Sequence, residues 1–183
     1  MSKNILFIVG SRRKGSFNRA LARIAEEYIA DRANVSFLDY ADVPFMDQDI
    51  EFPAPEPAAR ARECVRQADA VWIFTPEYNH EIPGGLKNLL DWLSRPIAQG
   101  ERITAVQGKP VTISGAGGRM ATKDCRDHLA ALLAFMKMDI TRENETGIAL
   151  SGECFSTGRF SISAEDEERL KAQADSFLGY IEK

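Results

Sequence analysis

The strongest constraint on this chain is the character of its apolar segments, which are short, rich in β-branched and aromatic residues, and free of alternating polarity. Residues 5–9, 35–38, 70–75 and 111–114 are of this kind. Strands covered on both faces have that pattern, and they belong to parallel sheets flanked by helices. Between them the spacing turns helical. Leu21, Ile24, Ala25 and Tyr28 stand at i, i+3, i+4 and i+7, as do Leu86, Leu89, Leu90 and Leu93. Cys125, Leu129, Leu132 and Met136 mark a third helix, and Leu170, Ala174, Phe177 and Ile181 a last one. Ser163, with Asp166 three residues on and then Glu167 and Glu168, starts that last helix as a capping box would. Another helix is read over residues 56–68, behind a loop broken by Pro53, Pro55 and Pro57, and a fifth strand between residues 140 and 150. The expectation is an α/β fold: a doubly wound, five-stranded parallel sheet in three layers, with residues 1–183 forming one domain. Its ligand site should lie beyond the carboxyl ends of the strands.

Composition removes several classes of function. With 44% hydrophobic and 27% charged residues the chain is an ordinary folding sequence. Its longest apolar run, residues 129–136, falls far short of the roughly 18 residues that cross a bilayer, so no membrane span is expected. The run at 5–9 is followed by Gly10, Ser11 and two arginines, unlike a signal-peptide cleavage site, which points to the cytoplasm. Twenty-three Lys plus Arg against 27 Asp plus Glu leave a net charge of -4, against a nucleic-acid partner. Cys64, Cys125 and Cys154 form no C-x-x-C pair and read as reduced thiols. The two histidines, His80 and His128, have no Cys or His at ligand spacing, so no metal site is expected.

Three loops after buried strands carry the chemistry. The first, Gly10-Ser11-Arg12-Arg13-Lys14-Gly15-Ser16-Phe17-Asn18, leads into a helix whose N–H groups and dipole favour an anion. Hydroxyls at Ser11 and Ser16, the Asn18 amide and the cations Arg13 and Lys14 add donors. A Walker A loop would need Lys and Ser or Thr where Ser16 and Phe17 stand, and a dinucleotide fingerprint would need glycine at Arg12. A phosphate monoester fits better, the other reading being a solvated turn with exposed basic residues. In the second loop, residues 75–88, Pro76 and Pro83 stiffen the chain while Tyr78 offers a flat face and Asn79 an amide. Such a loop holds a heteroaromatic ring edge-on, or is simply a rigid turn. The third, Ser114-Gly115-Ala116-Gly117-Gly118-Arg119, lets backbone approach a planar ligand and donate to a ring carbonyl. Three loops at three strand ends make one crevice.

The first-loop run, followed by Pro-Glu-Tyr-Asn at 76–79 and Pro-Gly-Gly-Leu-Lys-Asn-Leu-Leu-Asp-Trp-Leu-Ser-Arg at 83–95, resembles the NAD(P)H-dependent FMN reductase family, whose members include quinone, chromate and azo-dye reductases. The resemblance extends from Ile5 to about Gly118. It implies a flavodoxin-like fold and an FMN phosphate held by Ser11, Arg13, Ser16 and Asn18. It places Pro76, Glu77, Tyr78 and Asn79 along the ribityl and isoalloxazine, and Ser114, Gly115 and Gly117 at the pyrimidine edge. Arg12 and the pair His80-Glu81 depart from the usual family residues. The implied activity is hydride transfer from NADPH or NADH, through bound FMN, to quinones, free flavin or similar small-molecule acceptors. With the chemistry in the flavin, no protein side chain need be catalytic. A single crevice implies a ping-pong order. The alternative is a flavodoxin-like electron carrier or redox-sensing flavin-binding protein without turnover, and a lesser option is a protein for another phosphorylated ligand.

Three residues remain. His128 falls at the edge of the Cys125 stripe and reads as a core-edge histidine, while His80, inside the second loop, either touches substrate or faces solvent. Trp92 points off the sheet-facing stripe of its helix, a second apolar face that reads as a partner surface. With the family resemblance it supports a homodimer or homotetramer.

Overall fold

The computed structural model describes residues 2–182. In chain order its elements are β1 (Lys3–Val9), α1 (Phe17–Ile29), β2 (Ala33–Phe37), α2 (Glu56–Gln67), β3 (Ala70–Thr75), α3 (Gly84–Leu93) and β4 (Pro110–Gly117). There follow α4 (Lys123–Phe135), β5 (Asp139–Ile140), β6 (Thr146–Ala149), α5 (Gly152–Thr157) and α6 (Ala164–Ile181). All strand pairs are parallel, in the order β2-β1-β3-β4-β5, with β6 also beside β4.

The unbroken apolar runs become strands buried on both sides. Leu6, Ile8, Val71 and Ile73 face a core shared with α2, α3 and α4, whereas Ile5, Phe7, Val9, Trp72 and Phe74 face a second core under α1 and α6. Helices therefore cover both faces, as expected. Ser16 and Ser163 cap α1 and α6 by accepting hydrogen bonds from the Arg19 and Asp166 amides, and Glu165, Asp166 and Glu167 occupy the positive end of α6. No helix among the described residues is long and apolar enough to cross a membrane.

The fifth strand is split. β5 lies beside the start of β4, at Pro110 and Val111, and β6 beside its end, from Ser114 to Gly117. Between them the Glu145 amide bonds back to the Arg142 carbonyl at 3.1 Å and Asn144 takes a left-handed φ of 55°. Two short strands thus share one edge position, which explains why the apolar pattern after Ile140 is interrupted.

A buried polar network ties this edge to α6. The Trp72 indole N–H donates to Ser114 Oγ at 2.9 Å, and Ser114 Oγ donates to Gln173 Oε1 at 2.8 Å. Gln173, fully buried, also accepts from the Thr146 amide and donates to Thr112 Oγ1 and the Ile113 carbonyl. All four hydrogen-bonding positions of its amide are used.

The expectation for Trp92 is overturned. Its side chain is 0% exposed, its indole N–H donates to the Pro44 carbonyl at 2.8 Å, and the Arg62 guanidinium lies 5.6 Å from its ring. The second apolar face of α3 is covered by the connection after β2 and by α2. Its partner is therefore this chain itself. Trp92→Ala should cost about 3–5 kcal/mol, the usual range for emptying a large core site. Urea unfolding should show a lower midpoint while light scattering shows an unchanged mass; a loss of mass with an unchanged midpoint would restore the interface reading.

Candidate functional site

The carboxyl ends of β1, β3 and β4 open into one cleft of about 310 Å³, within the size range of small-molecule sites. Ser11, Arg13, Ser16, Phe17 and Asn18 line one end, Pro76, Glu77 and Tyr78 one side, and Ala116, Gly117 and Gly118 the other, with Leu150 and Phe155 closing it. The three sequence-predicted loops therefore meet. Two lining residues, Leu150 and Phe155, come from a segment with no motif and were not foreseen.

Close packing sets where the loops stand. A Cβ on Gly10 would meet Leu86 Cδ2 at 3.1 Å, Thr75 Oγ1 at 3.2 Å and Pro76 Cδ at 3.3 Å, so the first loop packs against the second so closely that any side chain there would make its neighbours shift by a few tenths of an ångström. Tyr40, which the sequence reading passed over, donates from its hydroxyl to the Val9 carbonyl at 2.8 Å and fixes the end of β1. Burial pushes its phenol up to about 12, so it stays a neutral donor. Arg12 reaches away from the cleft to the Ala41 carbonyl at 2.7 Å, anchoring the loop from behind.

The anion end is built from few groups. Arg13 lies over the Phe17 ring at 4.6 Å and makes no ion pair among the described residues. Ser11 and Ser16 are buried at the loop's two ends, and the α1 N-terminus begins at Phe17. Asn18 is different. Its Nδ2 donates to the Ala116 carbonyl at 2.9 Å and its Oδ1 accepts from the Ala116 amide at 2.8 Å, so this amide is a brace between α1 and β4.

The second loop is a two-residue hairpin. Tyr78 and Glu81 pair across Asn79 and His80, whose positive φ angles of 54° and 63° are those of a type I′ turn. Tyr78 is 52% exposed at the cleft, but Asn79 is on the turn and not on the cleft lining. The hairpin is then pinned to α4. Glu77 Oε2 accepts from the Cys125 amide at 2.9 Å, supplying the cap that Thr122, in a left-handed conformation, does not. His80 Nδ1 lies 2.8 Å from Asp124 Oδ2, and His128 Nδ1 lies 3.1 Å from Glu81 Oε1. His128 is thus an exposed clamp residue instead of the core-edge histidine expected, because its turn of α4 faces the hairpin. Glu77, His80 and Asp124 bring their ligand-type atoms within 4.8 Å of one another, a grouping hidden in sequence by the 44 residues separating His80 from Asp124. Beneath the hairpin, burial raises the Cys125 thiol to about 11, with Glu77 and Glu81 opposing ionisation further. It remains a neutral thiol at ordinary pH.

The third loop starts later than expected. Ser114 and Gly115 lie inside β4, and the Ser114 hydroxyl belongs to the Trp72–Gln173 network, facing away from the cleft. Gly115 is required for internal packing: a Cβ there would stand 2.0 Å from Thr122 Oγ1 and 2.7 Å from the Thr75 carbonyl oxygen. Gly117 would meet Thr122 Cγ2 at 2.7 Å, yet it also lines the cleft with Gly118.

The Glu77 clamp is measurable. Losing a side-chain cap costs about 0.5–2 kcal/mol, so Glu77→Ala should lower the urea midpoint while Glu77→Gln, which keeps an acceptor, recovers most of it. Equal midpoints for the wild type and Glu77→Ala would show that the carboxylate does not cap α4.

The sequence profile of the family described as NADPH-dependent FMN reductase matches residues 3–151. The chain is 30% identical over 182 residues to a 2-hydroxy-1,4-benzoquinone reductase of a Burkholderia species, covering 99% of this chain and 97% of that protein. It is 39% identical over 147 residues to a quinone reductase of Escherichia coli strain K12, covering 77% and 74%. Among solved structures, the flavoenzyme NAD(P)H:(acceptor) oxidoreductase FerB from Paracoccus denitrificans superposes with a TM-score of 0.86 at 28% identity, covering 98% and 97%. Flavodoxins share the fold. The cleft's polar end and flat apolar side suit FMN, the cofactor of this family, and the chain is an oxidoreductase. On these grounds the chain belongs to the NADPH-dependent FMN reductase family.

Proposed function

We propose that residues 1–183 act as one FMN-binding unit that passes reducing equivalents from NADPH or NADH to quinones, free flavin or similar small acceptors. The observation that carries this reading is the polarity of the cleft. At one end a guanidinium with no ion pair among the described residues, two serines and a helix N-terminus converge; along one side stand Pro76 and Tyr78 and along the other the small residues Ala116, Gly117 and Gly118. A ligand with a phosphate at one end and a planar ring at the other matches that gradient. When bound, FMN supplies the hydride-accepting and electron-donating chemistry. The protein's part is to hold it.

In this reading Arg13, Ser11 and Ser16 take the phosphate, with the free N–H groups of Phe17 and Asn18 at the first turn of α1. Pro76, Glu77 and Tyr78 lie along the ring and chain; Glu77 acts through the hairpin it pins, its carboxylate being engaged by Cys125. Gly117 and Gly118 leave their backbone open to the ring edge. Asn18 contributes through the brace to Ala116, Asn79 through the turn it makes possible, and Ser114 and Gly115 through the packing of β4. A homodimer or homotetramer belongs to this reading on the family resemblance alone, since Trp92 is enclosed; three unpaired cysteines fit the reducing cytoplasm.

Arg13→Ala should weaken FMN by about 1.5–3 kcal/mol, roughly ten- to a hundredfold in Kd, by removing a charge-assisted hydrogen bond. Riboflavin, which has no phosphate, should bind the variant as it binds the wild type. Equal weakening of both would place the phosphate elsewhere.

One cleft also sets the order of events. In this reading reductant and acceptor each need the same exposed face of the one flavin, and so take turns there. Initial rates at varied NADPH and benzoquinone should therefore give parallel double-reciprocal lines. Intersecting lines would require a ternary complex and reject the shared face, and failure of both nicotinamides to bleach the flavin anaerobically would reject the reductase reading.

A further inference from the structure

A second cleft, of about 530 Å³, lies between α2, the loop before it and the segment after α3. Pro53, Ala59 and Ile97 contribute apolar surface, and Arg62, Glu63, Arg66 and Gln99 the polar groups. Ala59, Arg62, Glu63 and Arg66 stand at i, i+3, i+4 and i+7 on α2, which makes one helical stripe the wall of the cleft.

Arg62 is the anomaly in this wall. It is only 4% exposed, and its Nε donates to the Trp92 carbonyl at 3.2 Å, but its Nη2 is enclosed with no hydrogen-bond partner among the described residues. The carboxylate that acts on it electrostatically is already taken. Glu51, itself buried, accepts from Arg95 Nε at 2.8 Å and from Arg95 Nη2 at 2.9 Å, a two-bond pairing that leaves two guanidinium groups to one carboxylate. Burial lowers the proton affinity of Arg62, and Arg95 adds to that effect while Glu51 opposes it. Arg66, farther along the stripe, is paired with Glu63 at 2.9 Å. A buried guanidinium with unmet donors is costly unless an anion completes it.

We propose that this cleft binds a small amphipathic carboxylate, its anionic end on the Arg62 guanidinium and its apolar body along Pro53, Ala59 and Ile97. Arg62 lines the cleft, and in the proposed complex its terminal torsions turn so that the Nη groups meet a planar carboxylate through two parallel hydrogen bonds. The chemistry favours a monoanion. Glu51 is paired with Arg95 and Glu63 with Arg66, so a single positive charge, that of Arg62, remains to be matched. The apolar share of the wall calls for a hydrocarbon or aryl body beyond the charged end. This site is separate from the cleft at the strand ends and shares no lining residue with it.

The test uses the FMN-loaded protein, titrated calorimetrically with octanoate and with 1-octanol. One octanoate should bind per chain, at least tenfold more tightly than octanol, with the flavin spectrum unchanged. Ala59→Trp, a substitution at an exposed helix position that fills the cleft, should weaken octanoate at least tenfold. Arg62→Met should bring octanoate down to the level of octanol, with far-UV circular dichroism confirming the fold. The proposal fails if octanoate and octanol bind alike, if millimolar octanoate gives no heat, or if Ala59→Trp leaves the affinity intact. It fails equally if octanoate displaces FMN, which would put it in the other cleft. Conversion of a wild-type dimer to monomer by Ala59→Trp would make the cleft an interface between copies, and would likewise overturn it.

Discussion

Two hydrogen bonds from one side chain hold the strand-end cleft together. The Asn18 amide clasps both the N–H and the C=O of Ala116, at 2.8 and 2.9 Å, and so joins the first turn of α1 to the end of β4 across 98 residues of sequence. A parallel sheet leaves the backbone groups at its strand ends without ladder partners, and in a buried setting each must find one. Asn18 satisfies Ala116 while fixing the distance between the anion-binding end of the cleft and its flat wall. A carboxylate at that position could only accept, and a hydroxyl, although it both donates and accepts, has one atom where the amide has two to span the N–H and C=O.

The same economy recurs around the cleft. Residues whose chemistry looks suited to a ligand are committed to the scaffold: Ser114 to Trp72 and Gln173, Glu77 to the start of α4, and Asn79 to the left-handed turn of the hairpin. What remains facing the cleft is one free guanidinium, two serines, backbone and an aromatic face. For an enzyme whose reaction belongs to its cofactor, that division is physically sensible. Positioning a flavin to a fraction of an ångström requires a stiff cradle, and stiffness comes from satisfied polar networks behind the cleft.

Packing on the opposite side of the sheet follows a different logic. Trp92 fills the space under the Pro44 loop, and Arg62 covers its ring with a guanidinium that Glu51 leaves to find its own counter-charge, being held by Arg95. Here the interior carries an electrostatic imbalance that the strand-end cleft does not. The contrast is between a cleft whose polar groups are braced by the scaffold and an interior guanidinium, that of Arg62, with one amine unpartnered among the described residues.

The order of elements was legible in sequence because burial on two faces leaves an unmistakable pattern: Ile5 to Val9 and Ala70 to Thr75 carry no polar face, and the leucines of α3 keep strict helical spacing. Motif spacing likewise placed Ser11, Arg13, Ser16, Pro76, Glu77, Tyr78 and Gly117 at one cleft, since loops after parallel strands must emerge at the same edge. Direction and partnership were not legible. Trp92 turned inward because the connection after β2, which has no periodicity, folds over it; His128 turned outward because Glu81, 47 positions earlier in the sequence, faces that turn of α4. The roles of Ser114 in the core network and of Asn18 as a brace at the cleft were hidden because their partners, Gln173 and Ala116, lie far away along the chain. Local patterns record which residues must leave water; only the assembled sheet decides which groups they meet, because a hydrogen bond depends on position in space and carries no memory of sequence distance.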